Sequence, residues 1–106
     1  MWEHDLGIWS ENFADFPRPE QVEVLKAAQD AVCQARRGWM TEEAVRRGAH
    51  QLLSIAGMLG FTMASKRFRD IEQSTQIDQA VCRAFEEMLV AFEAELECLV
   101  AWIDSD

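Results

Sequence analysis

Between Ile77 and Ile103 the apolar residues fall at Ile77, Val81, Phe85, Met88, Phe92, Leu96, Leu99 and Ile103, at steps of 4, 4, 3, 4, 4, 3 and 4. That rhythm keeps to one side of an α-helix with 3.6 residues per turn, whereas on a strand it would scatter over both faces. The stretch therefore reads as one long amphipathic helix, capped by Ser74 or Thr75 and running to about Ile103. Glu86, Glu87, Glu93, Glu95 and Glu97 mark its solvated side. A stripe this long cannot be buried by the helix that carries it, so the rest of the chain must supply the opposing faces.

Three other segments carry the same periodicity. Val22, Leu25, Ala28, Val32 and Ala35 line a helix that begins at Pro19 or Glu20 and ends at Gly38, with Arg36 and Arg37 complementing its C-terminal dipole. Thr41, followed by Glu42 and Glu43, is an N-cap signal. The helix it opens turns Val45, Gly48, Ala49, Leu52, Ile55, Ala56 and Leu59 inward and stops at Gly60. A shorter helix follows from Thr62 to about Gln73, with Ala64, Phe68 and Ile71 inward, packed antiparallel to its predecessor. Trp39 and Met40 form a short link expected to tuck into the core.

The first 18 residues hold Trp2, Trp9, Phe13 and Phe16, four large aromatics expected to be buried. Leu6, Trp9 and Phe13 are spaced for one or two helical turns that would close one end of the core. His4 reads as a surface histidine. The expected fold is all-α: a single domain over 1–106, with an antiparallel up-down four-helix bundle over 19–106 and a short capping segment or helix over 1–18.

A chain of 106 residues can bury one core without metals or disulfides. Cys33, Cys82 and Cys98 are odd in number and lack paired spacing, so they are expected to be small buried apolar residues in a reducing compartment. The N-terminus lacks a cationic region followed by an apolar run, and no stretch approaches about 18 uninterrupted apolar residues. A cytoplasmic protein without membrane contact is expected.

The net charge of -9 argues against nucleic-acid binding, which needs a cationic face. The charge is uneven, however. From Arg36 to Arg69 there are seven bases and two acids, a net +5, and the remainder carries -14. This basic belt suits an acidic partner or a phosphoryl group. It surrounds His50, which lies about 160° from Leu52 around its helix and so points into water. The small Ser54 and Gly57 stand one or two turns along the same side, leaving the ring within reach of another macromolecule.

These residues also carry a resemblance. His50, Leu52, Leu59 and Gly60 match the spacing of the histidine-containing phosphotransfer (HPt) domains of phosphorelays, and Ile71 and Glu72 match less specifically. The run Ala56, Gly57, Gly60 and Phe61 looks like a variant found in some members. The resemblance implies a four-helix bundle in which His50 accepts a phosphoryl group from an aspartyl phosphate on a receiver domain and passes it to another. It further implies that the partners are response-regulator receiver domains, a hybrid histidine kinase being one source of such a domain. The chain would need no cofactor of its own, because the receiver supplies Mg²⁺.

Leu53 and Ser54 stand where the family has lysine and glycine. Arg46 and Arg47 are therefore candidates to face the phosphate in place of the lysine, and Gln51, Leu53, Ser54, Gly57, Met58, Lys66 and Arg67 complete the expected phosphate-facing or docking surface. Gly57, outward beside His50, would give a partner clearance. A phosphate-binding loop of the GxxxxGK[ST] type is absent from the sequence, so ATP chemistry is not expected. The expectation is a monomeric phosphoryl carrier. The alternative is a degenerate HPt-like adaptor that docks a receiver or kinase without carrying phosphate, and a homodimer joined through the N-terminal aromatics is compatible with either.

Overall fold

The computed structural model describes residues 6–38 and 41–104. The expectations for Trp2, His4, Trp39 and Met40, and for the side chain of Leu6, fall outside the described residues. Five helices form here: α1 (Leu6–Phe13), α2 (Arg18–Arg37), α3 (Glu42–Leu59), α4 (Thr62–Glu72) and α5 (Gln79–Asp104). No strand occurs among the described residues, so the chain is all-α, as its periodicities require.

The α5 stripe is the floor of the core. Phe85, Met88, Phe92, Leu96, Leu99 and Ile103 are buried, joined by Leu89, while Ile77 and Val81 pack half-buried at the edge. The helix starts later than expected. Asp78 Oδ1 accepts the Val81 N–H at 2.9 Å and so acts as the cap, whereas the Ser74 hydroxyl donates to the Asp70 carbonyl at 2.9 Å and closes the end of α4. Serine and aspartate are equally good caps by type. Their place relative to α4 decides between them.

At the other end of the site-bearing region, the Thr41 hydroxyl accepts the Ala44 N–H at 3.1 Å and fixes the start of α3. Gly60 ends α3 at φ 98°, a left-handed conformation costly for residues with a Cβ. The Phe61 N–H then reaches the Ala56 carbonyl at 2.8 Å and the Gly60 N–H reaches that of Gly57 at 3.2 Å. This closure delivers Phe61 directly into the core, 5.4 Å from Phe92; Phe68 follows two turns later, 5.8 Å from Phe92 and 6.2 Å from Phe85. Each buried phenylalanine contributes about 2–3 kcal/mol through its apolar area.

α3 packs most extensively against α4 and α2 against α5, with further contacts between α2 and α3 and between α4 and α5. Gly48 permits one of these approaches: a Cβ there would lie 3.0 Å from Cζ of buried Phe85. Arg36 ties α2 to α5 through Glu93 at 2.8 Å.

α1 lies on α3, with Trp9 and Phe13 buried and the Asn12 amide donating to the Met58 carbonyl at 2.8 Å. Gln21 Nε2 binds the carbonyls of Phe13 and Phe16, anchoring the turn into α2. Two expectations are corrected here. Phe16 remains exposed, because it extends past the last turn of α1, where Phe13 is its ring contact among the described residues. Cys98 is also exposed, since it falls on the outward side of α5; Cys33 and Cys82 are half-buried. No helix among the described residues is long and apolar enough to cross a membrane.

Candidate functional site

The inward stripe of α3, buried at Val45, Ala49, Leu52, Ala56 and Leu59, leaves His50 on the rim that faces α4. Its side chain is 70% exposed. Directly across the rim stands Glu72, the last residue of α4, and its Oε2 meets His50 Nδ1 in close contact. A carboxylate at Nδ1 holds the ring proton on that nitrogen and fixes the plane of the imidazole. In the neutral tautomer that this contact favours, the lone pair lies on Nε2.

Arg46, one turn before His50, has a different task from the one its type suggested. Nη1 donates to the Glu72 carbonyl at 2.6 Å, Nη2 reaches the Thr75 carbonyl at 3.4 Å, and Nε and Nη2 both lie 3.3 Å from Glu42 Oε1. The guanidinium thus satisfies the Glu72 carbonyl, which the end of α4 leaves without a helical partner, and reaches that of Thr75 in the link beyond. Arg46 and His50 hold the same residue, one by its backbone and the other by its carboxylate. Arg47, further out, pairs with Glu43 on its own helix.

Gly57 also has a structural reason. It faces α4, where a Cβ would come within 3.3 Å of Ser65 Oγ, and that hydroxyl donates to the Leu53 carbonyl at 2.7 Å. Close approach of the two helices explains Gly57, and clearance for a partner is not needed to account for it. Leu53 is half-buried in this seam, while Gln51, Ser54 and Met58 are exposed on the outer side of α3. Lys66 is exposed on α4, and Arg67 lies on the opposite flank of that helix, lining a groove with Asp70, Glu87 and Glu95.

His50, Glu72 and Arg46 are therefore brought together, Leu53, Ser54 and Gly57 border them, and Arg67 stands apart. Glu72 was legible only as a weak motif match, because its pairing with His50 spans 22 positions and depends on how α4 packs. No group of three or more potential metal-ligating side chains occurs among the described residues. Chemically, the site offers an imidazole oriented by Glu72 on an exposed rim.

The comparisons add no relative. The chain matches no protein-family model, and no curated protein or solved structure matches it significantly.

Proposed function

We propose that this protein is a histidine phosphotransfer protein in which His50 carries the phosphoryl group. The carrying observation is the His50–Glu72 pair: a carboxylate against Nδ1 of an imidazole whose side chain is 70% exposed. The proposal includes an antiparallel up-down bundle of α2 to α5. Its support is that His50 meets Glu72 while Leu53 meets Ser65, and Phe61 meets Phe92 while Phe68 meets Phe85, contacts whose numbering runs in opposite directions between α3 and α4 and between α4 and α5.

In the transfer, the Nε2 lone pair attacks phosphorus of an aspartyl phosphate on a docked receiver domain. The N–P bond forms as the acyl P–O bond breaks, and the bonding pair leaves with the aspartate carboxylate. The Nδ1 proton stays between the ring and Glu72, whose negative charge offsets the positive charge developing on the imidazole. The reverse step hands the group to a second receiver. Mg²⁺ belongs to the receiver, the carrier acts as a monomer, and the compartment is the cytoplasm.

The second reading, an adaptor that docks without phosphate, is favoured by Leu53 in the lysine position and by the exposed Met58 about two turns along α3 from His50. Incubation with phosphorylated receiver domains, followed by intact mass of the native chain and of His50→Gln, separates the two. The carrier gains an acid-labile mass of about 80 Da that His50→Gln lacks. Receivers that bind but never transfer would leave the adaptor as the function.

A further inference from the structure

Of the cations flanking His50, Arg46 and Arg47 are engaged. Arg69 is not: its side chain is exposed and has no hydrogen bond or ion pair with another described residue. Its position on α4 is set by two fixed points. Ser65, four residues earlier, is bonded to the Leu53 carbonyl, and Glu72, three residues later, is bonded to His50. At about 100° per residue, Arg69 lies about 40° from Ser65 and about 60° from Glu72 on the solvent side of both, and about 4.5 Å along the axis from Glu72. Its guanidinium thus leaves α4 on the rim that His50 occupies on α3, over the stretch where α3 presents Leu53 and Ser54.

We infer that Arg69 is the anion-binding residue of this site, its guanidinium gripping the oxygens of a phosphoryl group held on or approaching His50 Nε2; this rests on the phosphotransfer reading. The chemistry suits the role. A planar guanidinium donates two parallel N–H bonds to a phosphoryl group, and Arg69 would supply from α4 the positive charge that Leu53 cannot supply from α3. Glu72 does not compete for it, because its carboxylate faces Nδ1.

The test uses the full chain, Arg69→Gln, Arg69→Lys, His50→Gln, and Arg83→Gln as a control for loss of one exposed positive charge on α5. Phosphoramidate serves as a donor without a protein partner, and inorganic phosphate as a non-reactive probe followed by NMR. Arg69→Gln should slow labelling of His50 about tenfold, Arg69→Lys should restore part of the rate, and Arg83→Gln should match the native chain. Inorganic phosphate should shift the Arg69 Nε–H and the His50 ring signals together. Native labelling rates and unchanged phosphate shifts in Arg69→Gln would overturn the inference and leave the phosphotransfer reading standing. If the native chain is never labelled yet phosphate shifts both residues, the anion site holds and the relay falls. If neither occurs, both fall.

Discussion

His50 is oriented by a residue that a helical wheel of α3 alone does not contain. Glu72 supplies the charge that fixes Nδ1, and Arg46 holds the Glu72 backbone from the same side. Replacing Glu72 with glutamine keeps the size and an acceptor but removes the charge. A charge-assisted hydrogen bond is about twice as strong as a neutral one. Transfer from a phosphorylated receiver to Glu72→Gln should therefore be about three- to tenfold slower than to the native chain, a loss of roughly 1 kcal/mol, with docking affinity unchanged. Stopped-flow transfer kinetics would read this directly. An unchanged rate would show that the pair has no part in transfer.

The elements divide into those that local chemistry specifies and those that depend on packing. α3 was legible from end to end, since Thr41 caps it, the stripe from Val45 to Leu59 has helical period, and Gly60 can take a left-handed conformation. The start of α5 was not, because Ser74 and Asp78 are both plausible caps and only the position of α4 assigns Ser74 to the Asp70 carbonyl. The end of α4 shows the same dependence: its Glu72 carbonyl, and that of Thr75 in the link beyond, are bound by Arg46 from α3. Arg46→Ala should destabilise the fold by about 1–2 kcal/mol through these lost bonds, with little change in the denaturant slope. Amide exchange in the last turn of α4 should accelerate. Arg46→Lys should recover only part, because an ammonium cannot span the carbonyls of Glu72 and Thr75 together with the Glu42 carboxylate.

For the molecule as a whole, the all-α class followed from the apolar stripes, and the core aromatics Phe68, Phe85 and Phe92 lie buried as their spacing required. The position of His50 on a solvated rim was equally legible, because 100° per residue settles it once α3 is granted. What joins the site together was not: His50 to Glu72, Ser65 to Leu53 and Arg46 to the end of α4 are contacts between helices, and a one-turn shift of α4 would dissolve all three. The basic belt likewise became specific only in three dimensions, where Arg36, Arg46 and Arg47 are paired, whereas the exposed Arg37, Lys66, Arg67 and Arg69 form no ion pair among the described residues and of these only Arg69 falls beside Glu72 on α4. The most direct measurement is ³¹P and ¹⁵N NMR of the chain after exposure to a phosphorylated receiver. A phosphoryl group bonded to Nε2 of His50, with the proton retained on Nδ1, is the predicted result. Phosphate on Nδ1, or on any residue other than His50, would contradict it.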